Sequence, residues 1–516
     1  MISRLYSATV YGVEGIEIEV EVDNRGGDTI RQYIVGLPDI AVKESLQRVG
    51  SAIANSGLPE APGATTVNLA PADLRKQGPG FDLPIALGTV LAAMGNSGTH
   101  APMPDPGDLE TWSIIGELAL DGTVRAVRGI LPQAIAAREQ GRKNLMVPWD
   151  NAEEASVVQG IGIYPVRSLR DAWNHLMHRE TIAPYRRLDT RPPAEHSIDF
   201  DEIKGQPYAR RALEIAAAGG HNILMSGSPG SGKTMLARRL PTILPPLSER
   251  EALEASKIHS VCGLLPRHAG LLTQRPFRSP HHTISDAGLM GGGANISPGE
   301  ISLAHHGVLF LDELPEYRRQ TLETLRQPLE AGTVTISRAS GTMDYPCRFM
   351  LVAAMNPCPC GYQGDPRHAC KCPHAAIVRY RNKISGPLLD RFDLLLEVPP
   401  VDPAALIDKP AGEPSAAIRA RVIAARERQE HRYRGTGISC NAELHGKTLQ
   451  TNCRLDAPSR QTLLDAVSQL ALSARAFDRI LKVARTIADL AGSDSIAQEH
   501  IYEAVQYRSY ETQLRQ

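Results

Sequence analysis

Gly227-Ser228-Pro229-Gly230-Ser231-Gly232-Lys233-Thr234 has the form G-x-x-x-x-G-K-[ST] and follows the apolar run Ile223-Leu224-Met225. Glycines at this spacing let successive backbone N–H groups turn inward around phosphates, and a helix beginning there adds its positive end. Lys233 would reach the β- and γ-phosphates, and the Thr234 hydroxyl would hold Mg²⁺. A chance match is the competing reading. The apolar strand before the loop and the helix-compatible Met-Leu-Ala-Arg-Arg-Leu after it speak against chance.

About eighty residues further on, Gly307-Val308-Leu309-Phe310-Leu311 runs into Asp312-Glu313. A buried strand ending in two carboxylates suits an Mg²⁺ ligand, Asp312, next to a residue that orients and polarises water, Glu313. An exposed acidic turn is the alternative, and it is weak with a phosphate loop upstream. Together the two motifs predict a nucleoside-triphosphate hydrolase. Asn356, after the apolar stretch 349–354, could position the water opposite the γ-phosphate, although Asn before Pro is more often a turn residue. Arg391, within Gly386-Pro-Leu-Leu-Asp-Arg-Phe-Asp393, is a candidate for stabilising transition-state charge, although surface Arg residues without a role are commoner. Arg475, Arg479 and Lys482 share one helix face, which suits either a solvated stripe or a phosphate sensor.

Cys358, Cys360, Cys370 and Cys372 form C-x-C-x₉-C-x-C. Four thiolates so paired can close a tetrahedral Zn²⁺ site and staple a loop too polar to pack, while four free thiols in a reducing compartment are the plainer possibility. Arg379, Arg381 and Lys383 follow and could touch DNA. Cys262, Cys347, Cys440 and Cys453 are scattered and carry no assigned role.

The elements that must position these groups divide the chain. Alternation from Ile16 to Val22 predicts a half-exposed strand, residues 39–55 a helix with Ala41, Val42, Leu46, Val49 and Ile53 on one face, and residues 83–94 a helix buried nearly all round. A polar, Pro-bearing stretch at 181–198 reads as a linker between a domain at 1–180 and an α/β core at 199–402. Short buried strands near 223, 308, 349 and 394 belong to that core, and 403–516 is nearly all helix. Ser495 with Gln498 suggests a capping box opening the last helix.

Length and composition agree. At about 150 residues per domain, 516 residues suggest about three domains. Lys plus Arg is 56 against 57 Asp plus Glu, which excludes a polycationic nucleic-acid coat but leaves room for a local basic channel. The longest apolar stretch, 83–95, is too short to span a bilayer, and the N-terminus lacks a secretory pattern. A soluble cytoplasmic protein without membrane association is the expectation.

The phosphate loop, the Asp312-Glu313-Leu314 run, Asn356 and Leu388-Leu389-Asp390-Arg391-Phe392-Asp393 together resemble an AAA+ ATPase. The block from Arg275 to Gly288 and the run from Gly291 to Tyr317 resemble the magnesium-chelatase-like branch and, within it, the YifB/ComM family, end to end. That resemblance implies an ATP- and Mg²⁺-dependent homohexameric ring in which Arg391 is the arginine finger acting in trans and Arg475 the second sensor. It also implies a pore-facing insert at about 275–293 and a hairpin at 332–347, turning at Ser340-Gly341 with Arg338 near its tip. Arg275, Arg278, His281, His282 and Arg338 are the candidate DNA contacts, and backbone contacts of this kind carry no base specificity. The implied activity is translocation on single-stranded and branched duplex DNA, a helicase promoting branch migration during recombination in natural transformation, with recombination proteins as possible partners. A chelatase-type motor subunit or protein-remodelling ATPase is the alternative.

Residues 113–148 and the run from Gly78 to Ala86 resemble the proteolytic domain of Lon, a ribosomal-S5-like α/β fold. Gly80 and Gln133 stand at the positions of its nucleophilic Ser and its Lys, so peptidase chemistry is not expected.

Overall fold

A computed structural model describes residues 2–27, 29–96, 104–187, 197–266, 270–293, 296–338, 341–400, 412–470 and 472–515. Half of the expected linker (188–196), the Ser340 side of the hairpin turn and the first residues of the helical region (403–411) lie outside them. The chain folds into two compact units, Met1–Pro192 with Glu249–Leu272, and Pro193–Ser248 with Thr273–Gln516. The expected core at 199–402 is therefore interrupted. Leu253 and Leu271 pack against buried Ile130, Leu131 and Ala134 of the first unit, and the Gly129 N–H donates to the Ser260 carbonyl at 3.0 Å.

In the first unit, β1 (Ile2–Tyr11), β2 (Glu14–Arg25), β3 (Arg31–Val35), β4 (Ala64–Ala70), β5 (Trp112–Ile114), β6 (Asn144–Pro148) and β7 (Gly162–Val166) form one mixed sheet, ordered β3-β4-β2-β1-β5-β6-β7. The period-two pattern does what it predicts: Ile18, Val20 and Val22 are buried while Glu17, Glu19 and Glu21 are only partly covered. The helix Ile40–Asn55 starts where the Asp39 carboxylate accepts the Val42 N–H at 2.8 Å, and it buries Val42, Val49 and Ile53. The helix Asp82–Asn96 is buried from Asp82 through Met94, each large aliphatic contributing about 1.5–3 kcal/mol. Burial pushes the Asp82 carboxyl up, and Arg48, donating from Nε at 2.9 Å, offsets this.

In the second unit, β8 (Ile223–Ser226), β9 (Phe277–Arg278), β10 (Val308–Leu311), β11 (Met350–Met355) and β12 (Leu394–Glu397) form an all-parallel sheet ordered β9-β10-β11-β8-β12. These strands read as unbroken apolar runs because both faces are covered; helices Pro207–Gly219, Lys233–Ile243 and Ala474–Leu490 share one buried cluster with them. Parallel strands need crossovers, so their carboxyl ends open into loops along one edge. That geometry gathers the loop after β8, the acidic pair after β10 and Asn356 after β11.

Thr333–Arg338 and Gly341–Pro346 pair antiparallel, from Thr333 opposite Pro346 to Arg338 opposite Gly341, as the hairpin expectation required. The last helix runs Gln498–Arg515, and the Ser495/Gln498 capping box does not form. Instead the Ala497 N–H donates to His500 Nδ1 at 3.0 Å, and Ile496 lies before the helix, bridged to Leu455. Among the described residues, no helix is long and apolar enough to cross a membrane.

Candidate functional site

Pro229, Gly230, Gly232, Lys233, Thr234, Met235, Asp312, Glu313 and Asn356 line one cavity of about 470 Å³. The loop can turn so tightly because Gly230 (φ +78°) and Gly232 (φ +90°) occupy the left-handed region. Lys233 opens the following helix, and its buried ammonium donates to the carbonyls of Gly227 (2.6 Å) and Ser228 (3.0 Å) and to Asn356 Oδ1 (3.3 Å). Burial pulls the Lys233 ammonium below its ordinary range, while Asp312 and Glu313 pull it back.

The Thr234 hydroxyl donates to Asp312 Oδ2 at 2.7 Å, although the two residues are 78 apart in sequence. A hydroxyl and a carboxylate so placed are hard oxygen donors that fit Mg²⁺. Glu313 holds φ 52°, ψ 46°, a strained conformation for a side chain of this size that concentrates at functional positions. Its carboxylate Oε2 lies 3.3 Å from His282 Nδ1. The buried Tyr317, whose hydroxyl donates to the Pro280 carbonyl at 2.7 Å, ties the segment before His282 to the acidic strand. No sequence signal marked Tyr317 for this task.

The arginines fall elsewhere. Neither Arg391 nor Arg475 is among the described residues lining the cavity. Arg391 is largely covered and ion-paired with Glu330; Arg475 is 62% exposed and 3.1 Å from Asp390. Arg479 is largely covered against Asp393, and Lys482 donates to the Ala442 carbonyl at 2.8 Å, so of the stripe Arg475 alone stands in solvent. Burial opposes charge on Asp393, but Arg479 and His221 outweigh it and hold the carboxyl well below the usual range. His221 contacts Asp393 at 3.2 Å and Thr486 at 2.7 Å, joining the helix Ala474–Leu490 to the end of the Leu388–Asp393 motif.

Of the candidate DNA contacts, Arg275 donates to the carbonyls of Pro245 (2.7 Å), Pro246 (3.2 Å) and His306 (2.7 Å). Arg278 forms a two-point pair with Glu300 at 2.6 and 2.7 Å, and His282 faces Glu313. These three are engaged inside the chain by groups that are near in the fold and remote in sequence. His281 stacks on His282 and remains exposed, as does Arg338. Arg381 is also turned inward, donating to Gln363 Oε1 at 3.0 Å.

The four cysteines converge. Cys358 Sγ lies 3.4 Å from Cys360 Sγ and 3.6 Å from Cys370 Sγ, and all four sulfurs lie within 4.8 Å of one another. In the first unit, Gln133 is buried and donates to the carbonyls of Arg128 (3.1 Å) and Gly129 (3.0 Å), while the α-carbon of Gly80 faces Ile115 and Val127.

A parallel sheet carrying a glycine loop, an acidic pair and an asparagine on one edge, followed by a helical region, defines the AAA+ class of P-loop ATPases. Residues 199–406 match the family "Magnesium chelatase, subunit ChlI", residues 412–508 its C-terminal counterpart, and residues 18–151 "Subunit ChlI of Mg-chelatase". The chain is 43% identical over 512 residues to the uncharacterized protein YifB of Salmonella typhimurium, covering 99% of this chain and 97% of that one. It is equally 43% identical over 515 residues to the competence protein ComM of Haemophilus influenzae, covering 98% and 97%. With the magnesium-chelatase 38 kDa subunit of Rhodobacter capsulatus it shares 26% over 218 residues, 39% of this chain and 55% of that subunit. The chain belongs to the YifB/ComM family of magnesium-chelatase-like AAA+ proteins, and membership implies an ATPase that uses ATP with Mg²⁺.

Proposed function

We propose that this protein is an ATP-driven DNA motor, working as a homohexameric ring that moves branched recombination junctions in natural transformation. The observation that carries the reading is the gathering of Lys233, Thr234, Asp312, Glu313 and Asn356 on one cavity in a chain similar to competence protein ComM along its whole length. In this reading Lys233 binds the β- and γ-phosphates and, with Asn356, orients the terminal phosphate. Thr234 and Asp312 hold Mg²⁺, which supplies charge neutralisation when bound. Glu313 orients the attacking water and takes its proton. Arg391 serves a neighbouring subunit's nucleotide and Arg475 senses its own. The hairpin ending at Arg338, with His281, touches DNA backbone, and recombination proteins are its partners. The first unit keeps a Lon-like fold without its peptidase chemistry. The four cysteines hold zinc.

The test is ATP hydrolysis with and without a branched DNA substrate, alongside movement of that branch, with Lys233→Ala as control. DNA-stimulated hydrolysis and Lys233-dependent branch movement are expected. Hydrolysis indifferent to DNA, with no branch movement, overturns the reading in favour of a chelatase-type or protein-remodelling motor, which the ChlI match over 199–406 would then favour.

A further inference from the structure

The loop between β11 and the helix His374–Arg381 has no helix or strand of its own, although it abuts the nucleotide cavity. From Cys360 to Cys372 its side chains are almost all polar or small, and its internal backbone bonds are few: Gly361 N–H to Cys358 (2.9 Å) and Asp365 N–H to Tyr362 (3.1 Å). Apolar burial cannot order such a segment against its conformational entropy. A crosslink of the four sulfurs can. With Zn–S bonds of about 2.3 Å, tetrahedral ligands stand about 3.8 Å apart. The Sγ separations of 3.4, 3.6 and 3.6 Å among Cys358, Cys360 and Cys370 lie close to that edge length. The Cys372 N–H points at Cys370 Sγ at 3.4 Å, the kind of outer-sphere hydrogen bond that supports a thiolate ligand.

The loop touches the phosphate-binding machinery at three places. Cys358 lies two residues after Asn356, whose side chain accepts from Lys233. Gly361, at φ +86°, brings its backbone so near the phosphate loop that a Cβ there would stand 2.7 Å from Pro229 Cδ and 2.8 Å from its Cγ. Gln363, Gly364, Asp365 and Pro366 share a cavity of about 160 Å³ with Gly227 and Ser228. Arg381, from the helix beyond, bridges the loop by donating to the Pro357 carbonyl (3.4 Å) and to Gln363 (3.0 Å).

We propose that zinc held by Cys358, Cys360, Cys370 and Cys372 sets the affinity of the adjacent phosphate loop for ATP, making nucleotide binding conditional on the metal. This rests on reading the cysteines as a zinc site. The ion holds the 358–372 loop in shape, the Gly361 backbone supports Pro229, and Asn356 keeps its place beside Lys233. Loss of the metal lets the loop relax and withdraws that support; so does a peroxide that takes two electrons from each thiolate pair, forming a disulfide as its O–O bond is reduced and the ion is released.

The experiment uses the full chain purified under reducing conditions. Zinc is quantified by elemental analysis, and affinity for a fluorescent ATP analogue is measured before metal removal, after stripping with an organomercurial and chelator that are then removed, and after thiol reduction and Zn²⁺ return. About one zinc per chain is expected, with affinity falling at least about tenfold on stripping and recovering with Zn²⁺. Gly361→Ala keeps all four ligands and is expected to retain zinc while losing affinity to a similar extent. Cys370→Ser with Cys372→Ser is expected to lose both, with circular dichroism reporting whether the chain stays folded. Zinc present with affinity unchanged on stripping and in Gly361→Ala overturns the coupling and leaves the zinc reading intact. Protein with no zinc and full affinity overturns both.

Discussion

His282 Nδ1 lies 3.3 Å from Glu313 Oε2, so the insert, just beyond β9, contacts the carboxylate that follows β10. His282 can position the Glu313 carboxylate through this contact. His282→Ala is expected to lower kcat by roughly tenfold, because misplacing a reacting group by an ångström is already expensive, with ATP affinity unchanged. Partial rescue by His282→Gln, which retains a hydrogen-bond donor, separates positioning from folding. Equal losses of binding and turnover would assign His282 a structural role.

Glu313→Gln keeps the shape of the side chain and removes its ability to accept a proton. Hydrolysis is expected to fall by about 10²–10⁴-fold while ATP binding persists and the ring is trapped in its ATP form. Rapid turnover by this variant would remove Glu313 from the role of base.

Arg391→Ala is expected to abolish hydrolysis and leave nucleotide binding largely intact, as a group absent from its own chain's cavity should. Mixing the variant with Glu313→Gln should restore part of the activity, because each supplies what the other lacks at a shared interface. Equal loss of binding would make Arg391 structural through its Glu330 pair.

Two neighbouring ion pairs should behave oppositely. Arg479→Ala takes the guanidinium from the buried Asp393 carboxylate, leaving it His221 and the Asn222 N–H, and is expected to destabilise the chain by about 3 kcal/mol. Arg475 is 62% exposed, so Arg475→Ala should lower stability by less than about 1 kcal/mol. A loss of hydrolysis in Arg475→Ala at unchanged melting temperature would then support the sensor role.

Stability should fall on mild acidification. His175 Nδ1 accepts the Ile182 N–H and His500 Nδ1 the Ala497 N–H, both at 3.0 Å, and burial lowers both rings' pKa. Below the unfolded value of about 6.5 the unfolded chain therefore binds more protons. Their contribution is complete above that pH and is lost as pH falls toward the folded values. Melting temperatures at pH 7.5, 6.0 and 5.0 test this. A fall that His175→Gln with His500→Gln does not reduce would count against these rings.

The sequence by itself determined the nucleotide chemistry. Gly227 to Thr234 is contiguous, and a strand followed by two carboxylates is local, so spacing alone predicts where Lys233, Thr234, Asp312 and Glu313 stand. The buried strands β8, β10, β11 and β12 were equally legible, because parallel strands covered on both faces leave continuous apolar runs. Tertiary structure alone decided what the remaining charged residues do. Arg278 meets Glu300, Arg479 meets Asp393 and His282 meets Glu313, each partner supplied by another element. It also decided that Glu249–Leu272 belongs with the first unit and that Gly361 lies against Pro229. The physical reason is common to all of these: a long polar side chain or a short amphipathic helix has many possible partners, and which one it meets depends on how sheets and crossovers bring distant segments together.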